Sequence, residues 1–294
     1  MPVVNGISVA VSSADLLGEG PSWDDRTEQL TWVDIKGRKV RAWSPGRHAV
    51  VDVDVPNEPS LALPRLRGGR VVAQVDHLAV TENDDSPLRP ICEIDAGNAH
   101  TRLNDGCCDT QGRLWVGTYS TRGAPEAGLY VVTADGTVRQ VLDGMVASNG
   151  IEWSPTGDVL HVADTGRCRV DSYAVPDAPK GGEPRLVPCG TVLAEDGSRG
   201  RPDGLTVDRE GAIWVAMWGG GHLRRYSPDG ALAAEVPLPV TYPTAVALGG
   251  RDLRTIFVTT SRHHLTDPTL EPHAGSVLSL ASDVGGLSTR RFAG

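Results

Sequence analysis

The sequence has no cysteine spacing suited to a metal or redox centre. Its five cysteines, Cys92, Cys107, Cys108, Cys168 and Cys189, are odd in number and include no C-x-x-C pair. Zinc–thiolate and disulfide-scaffold readings are therefore both weak, and the expectation is reduced, buried thiols in a cytoplasmic protein. No run of eighteen apolar residues occurs, so no transmembrane helix is expected. The first residues, MPVVNGISVAVSSAD, lack a basic n-region and a sustained apolar h-region, so they do not read as a secretory signal. Basic runs are missing as well. With 28 Lys and Arg against 37 Asp and Glu, the net charge is −9, a balance that repels nucleic-acid phosphates and anionic membranes. Amphipathic helical patterns of 10–15 residues are also lacking, which argues against an α/β fold.

Glycine, by contrast, is abundant. The chain of 294 residues has 35 Gly and 21 Pro, a composition that favours many tight turns and short strands over long helices. One phrase recurs six times: a turn containing Gly or Asp, then a β-rich run, often with an aromatic at its centre. The runs are Leu30–Asp34, Arg70–Gln74, Arg113–Gly117, Val159–Ala163, Ala212–Ala216 and Thr255–Thr259. Their central residues, Trp32, Val72, Trp115, His161, Trp214 and Phe257, are 40, 43, 46, 53 and 43 residues apart. Each run is followed by a second alternating segment, such as Leu129–Val132 or Leu223–Tyr226, and preceded by another strand, such as Gly204–Asp208. Four short antiparallel strands per 40–50 residues is the pattern of a propeller blade. The expected fold is all-β: a six-bladed β-propeller of four-stranded antiparallel blades filling 1–294 as a single domain. Cys107 and Cys108 fall inside one predicted strand, so their side chains should point to opposite faces and act structurally.

Blades built to one template can be compared position by position. Four repeats carry a residue able to ligate metal immediately ahead of a glycine: Glu19-Gly20, Asp105-Gly106, Asn149-Gly150 and Asp203-Gly204. They stand 13, 10, 12 and 11 residues before the central residue of the following strand. Equivalent positions in a propeller surround the axis at one end of the channel, so these residues should converge there. Carboxylates and amides facing a common axis make an oxygen-rich site for a hard cation. The other two repeats offer Pro59-Ser60-Leu61 and Tyr242-Pro243-Thr244 near this register, which makes the site asymmetric. Asp-Gly and Asn-Gly are also the common hairpin dipeptides, so turn chemistry is the competing explanation. Spacing alone does not choose between Asn104 and Asp105.

Several phrases resemble the senescence marker protein/gluconolactonase family, which includes regucalcin, bacterial sugar lactonases and luciferin-regenerating proteins. They are Gly18-Glu-Gly-Pro-Ser-Trp23, Arg102-Leu-Asn-Asp-Gly106, Gly112-Arg-Leu-Trp-Val-Gly-Thr118, Ser148-Asn-Gly-Ile-Glu-Trp153 and Arg201-Pro-Asp-Gly-Leu205, followed by His222–Gly230 and Ala247–Leu253. The resemblance implies a six-bladed propeller with one divalent cation at the channel mouth, of unspecified identity among Ca, Zn, Mn, Mg and Fe. It implies metal ligands at Glu19, Asn149 and Asp203, and substrate contacts at Arg102 and Asn104, leaving Asp105 to a turn or a supporting role. The implied activity is hydrolysis of a small sugar-type lactone, with Asp203 as the group that accepts a proton from water. Hydrolysis of another ester or phosphotriester, or a non-catalytic calcium-binding propeller, are the alternatives. The expected partner is a small-molecule lactone, with no nucleic acid and no membrane, the protein being a monomer or weak homo-oligomer. Tyr119 is a candidate either for stacking on a ring or for plain packing within its blade. His161 is expected in the core, His222 in a Gly-rich turn with a pocket-facing position as the minor alternative, and His263 and His264 in a surface loop.

Overall fold

In the third and fifth repeats an Asp and a Gly close the hairpin that joins the first two strands. In Asp109-Thr-Gln-Gly112 the carboxylate accepts from the backbone N–H of Gln111 and Arg113, and in Asp208-Arg-Glu-Gly211 from those of Glu210 and Ala212. Gly112 and Gly211 complete these turns at φ of +74° and +82°, a region closed to most side chains. The same carboxylates then accept from the indole N–H of Trp115 and Trp214, at 2.9 and 3.2 Å. Both indoles are fully buried, so their single donors need an internal partner.

The computed structural model describes residues 4–47, 49–83, 86–176 and 184–294, which form six four-stranded antiparallel sheets. The innermost strands of blades 1 to 6 are Gly18–Asp24, Pro59–Pro64, Thr101–Cys108, Ser148–Trp153, Arg201–Val207 and Pro243–Gly249. The six β-rich runs of the sequence become the second strands, for example Gln29–Asp34, Arg70–Gln74 and Thr255–Thr260. The ring is closed by the N-terminal strand Val4–Val11, which pairs with Val277–Ser282 as the fourth strand of blade 6. At the far end of the channel from the strand starts, the segment 287–294 crosses the axis. It is held by Phe292, which is fully buried, and by Arg291 bonded to Asp24 and Asp25.

The apolar core lies between blades. Trp115 of blade 3 meets Trp153 of blade 4 edge-on, with centroids 5.1 Å apart. Cys107 packs into that layer, while Cys108 packs into the layer shared with blade 2 around Leu61 and Val71. Adjacent residues of one strand thus serve two cores, as strand alternation requires. No helix among the described residues is long and apolar enough to cross a membrane.

Candidate active site at the channel mouth

Every innermost strand is bulged near its start. In blade 3 the pairs Leu103↔Thr118 and Gly106↔Val116 leave one unmatched residue, as do Ser148↔Asp164 with Ile151↔Val162 and Pro202↔Met217 with Leu205↔Val215. Thr118, Asp164 and Met217 each lie three residues after the central Trp115, His161 and Trp214. Asn104, Asn149 and Asp203 therefore occupy one equivalent bulge position, and Asp105 aligns with Gly150 and Gly204. A bulge re-aims the side chain it carries, which is why these residues face the axis from inside a strand rather than from a turn ahead of it. Blade 1 bulges between Glu19 and Ser22, just after its glutamate. Blades 2 and 6 bulge at Ser60 and Thr244.

Glu19, Arg102, Asn104, Asn149 and Asp203 all line one cavity of about 610 Å³ at the mouth. Each of the carbonyls preceding Glu19, Asn149 and Asp203 is held by a side chain from the blade before it. Thr244 Oγ1 donates to Gly18 O at 2.6 Å, Asn104 Nδ2 to Ser148 O at 2.9 Å and Thr165 Oγ1 to Pro202 O at 2.7 Å. Asp34 and Asp164 accept from the backbone N–H groups of Leu16–Leu17 and Val146–Ala147, fixing the chain two residues ahead of Glu19 and Asn149. The three donors are thus locked to a rigid ring before anything binds. Arg102 is fixed too: one guanidinium nitrogen donates to Leu103 O and Asn104 Oδ1, each at 3.0 Å, and the group sits 4.9 Å over the Tyr119 ring.

Enclosure of like charges dominates the electrostatics. Burial, and then the charge of Asp105, push Glu19 up to about 8. Asp203 is pushed well above the usual carboxylate range by burial, then by Glu19 and Asp105, with Arg102 opposing. Asp203 Oδ1 is buried without a hydrogen-bond partner among the described residues, and the Asn149 amide makes no hydrogen bond among them. Two carboxylates and an amide with unused oxygen capacity fit a hard divalent cation, whose charge would remove the repulsion that raises both carboxyl groups. The described residues contain no cluster of three or more His, Cys, Asp or Glu placed to hold a metal, so any cation here relies on the amide as third donor.

The profile of the SMP-30/Gluconolactonase/LRE-like region matches residues 17–262, most of the chain. The chain belongs to that family. It is 33% identical to L-arabinolactonase of Azospirillum brasilense over 295 residues, covering 98% of this chain and 95% of the relative. The crystal structure of regucalcin from Agrobacterium tumefaciens, described as a calcium-binding protein, is 27% identical with a TM-score of 0.89, covering 98% and 97% of the two chains. A luciferin-regenerating enzyme is 26% identical with a TM-score of 0.87 and full coverage of both.

Within this family frame, several other residues have definite places. Asp105 lies in the same bulge as Asn104 but faces a separate cavity of about 120 Å³ farther down the axis, lined also by Glu152 and Arg290. Its carboxylate accepts from the Gly106 N–H at 2.7 Å, so it stabilises the bulge rather than a hairpin turn. His161 is buried against Ser172 Oγ at 2.8 Å, and burial pulls its pKa down to about 4. His222 is buried in blade 5, bonded to Gly220 O and 3.6 Å from Glu235, and does not line the mouth. His263 and His264 are exposed, as expected of a loop, but that loop overhangs the mouth and both line the cavity. There His264 packs with Trp218 and Tyr242, at 4.9 and 5.8 Å, in an aromatic rim that the repeat pattern did not reveal. Trp218 is the last residue of its strand, Ile213–Trp218, and Tyr242 stands just before one, so neither shares the central-aromatic signal.

Proposed function

We propose that this family member hydrolyses a small sugar-type lactone to its hydroxy acid, using a divalent cation held by Glu19, Asn149 and Asp203. The observation that carries this reading is the convergence of those three oxygen donors with Arg102 and Asn104 in one cavity, with a buried oxygen of Asp203 left unpaired. The names of lactonase relatives support the reaction class, and the calcium-binding description of a structural relative supports the cation. When bound, the cation supplies Lewis-acid polarisation of the lactone carbonyl and stabilises the charge that develops on its oxygen.

The chain's own groups do the rest. Arg102 presents guanidinium N–H donors to a ring hydroxyl or carbonyl oxygen, its orientation set by Asn104 and Tyr119. Asn104 has one amide hydrogen left for substrate after bonding Ser148 O. Asp203 accepts a proton from water as that water's oxygen bonds to the carbonyl carbon, and returns it to the ring oxygen as the C–O bond breaks. Water and lactone are thereby converted to one hydroxy acid.

The test is a panel of sugar lactones incubated with metal-reconstituted protein, following acid release. Metal-dependent opening of at least one lactone is expected, with Asp203→Ala losing on the order of 10³-fold in kcat while keeping its far-ultraviolet spectrum. Unchanged hydrolysis in that variant removes Asp203 from the mechanism. Metal-dependent activity on no lactone returns the site to a binding role.

A further inference from the structure

Three cations line the mouth cavity, Lys36, Arg102 and Arg201, and two of them are committed. Lys36 Nζ pairs with Glu58 at 2.9 Å, and Arg102 is bonded to Leu103 O and Asn104 Oδ1. Arg201 is exposed and has no hydrogen-bond or ion-pair partner among the described residues. The sequence places it at the start of the strand that carries Asp203, two residues ahead, which at extended rise is about 7 Å of backbone. Its cross-strand partner is Trp218, which belongs to the aromatic rim with Tyr242 and His264, and both residues line the mouth cavity. Glu58 is the one anion of the cavity outside the cation-binding set, and Lys36 neutralises it. With Glu19, Asp203 and a divalent cation balanced against each other, the remaining charge of the mouth is Arg102 and Arg201.

We infer that the substrate is an acidic sugar lactone, with a carboxylate or comparable anionic group at the carbon remote from the carbonyl, and that Arg201 receives that group. This inference rests on the lactonase reading for its reaction, and on Arg201 for its specificity. In the inferred pose the lactone carbonyl lies against Asp203, and the rest of the molecule extends along the cavity wall that Trp218 and Arg201 share. The planar guanidinium suits a carboxylate bidentately. A neutral hydroxymethyl at the same carbon would face an arginine it cannot neutralise.

The experiment compares D-galactono-1,4-lactone with D-galactaro-1,4-lactone, which share a ring and differ only in hydroxymethyl against carboxylate at the terminal carbon. The expected ratio of kcat/KM favours the galactaro compound by about tenfold or more, the worth of one charge-assisted hydrogen bond, and most of it appears in KM. Arg201→Gln is expected to bring that ratio to about one, and Arg201→Lys to restore part of it. A wild-type ratio near one, or a ratio that survives Arg201→Gln, overturns the inference. If neither lactone is opened, the panel of sugar lactones decides the lactonase reading separately. Quenching of Trp218 fluorescence by galactarate and galactonate, with Trp218→Phe as the blank, then decides the anion preference. Galactarate tighter by about tenfold in the wild type but not in Arg201→Gln sustains it, and equal affinities overturn it.

Discussion

Two pairs of carboxylates share the propeller axis: Glu19 with Asp203 at the mouth, and Asp105 with Glu152 in the smaller cavity beneath. Burial raises the pKa of all four. The lower pair has a cation of its own, because Arg290 lies 3.9 Å from Glu152 and donates to Ser154 O at 3.1 Å. The cation that opposes the upward shift of the upper pair is Arg102, and its hydrogen bonds go to Leu103 O and Asn104 instead. One pair thus has an arginine from the segment 287–294 beside its glutamate, while the other leaves Asp203 Oδ1 without a hydrogen-bond partner among the described residues, beside an open cavity. The difference separates a cavity closed by the segment 287–294 from an open one that the proposed cation could enter.

The comparison breaks most visibly under metal titration. Adding a divalent cation to chelated protein should raise its unfolding free energy by about 2.7 kcal/mol at a hundredfold excess over Kd. For a chain of this length that is a rise of about 5–10 °C in the thermal midpoint, read by scanning fluorimetry. Asp203→Asn should abolish the rise and Glu152→Gln should retain it. The opposite pattern would place the cation in the lower cavity. Next in size is Arg290→Met, which strands Glu152 and should destabilise by about 2 kcal/mol in chemical denaturation. Glu152→Gln in the same chain should recover part of that loss, and no recovery would mean that Arg290 acts through Ser154 O alone.

The repeats made the propeller legible, since Trp32, Trp115 and Trp214 recur in alternate blades at the same strand position and each is fully buried. They did not show how the ring closes. Val4–Val11 pairs with a strand more than 260 residues away, and nothing local to either segment encodes that partner. The mouth residues were legible as Gly-adjacent carboxylates and amides, and resemblance alone separated Asn104 from Asp105. The physical reason for that separation is the bulge, a matter of cross-strand register that spacing along one strand does not contain. The bracing hydroxyls of Thr165 and Thr244 were illegible for the same reason, since each acts on the carbonyl of a neighbouring blade. His263 and His264 were placed correctly in a loop, but the path of that loop over the mouth depends on its packing with Trp218 and Tyr242.

Asp105 gives the smallest effect and the sharpest division between the two pairs, because it belongs to the lower cavity yet its charge raises both Glu19 and Asp203. Burial lifts its own pKa from 3.8 to about 7 in the folded chain. Between those values the folded state holds a proton that the unfolded state has released, so the wild type loses stability as pH rises from about 4 through 7. Asparagine cannot ionise and keeps the side-chain oxygen that accepts from Gly106. Asp105→Asn should therefore match the wild type near pH 4 and exceed it by on the order of 1 kcal/mol at pH 8, measured as the difference in unfolding free energy of the metal-free proteins. A gain that does not change with pH would show that Asp105 is not the group titrating. The same variant should weaken cation binding only modestly, since it removes a nearby charge and no ligand. If it abolished binding as Asp203→Asn is expected to, Asp105 would belong to the mouth, and the two cavities would form one site.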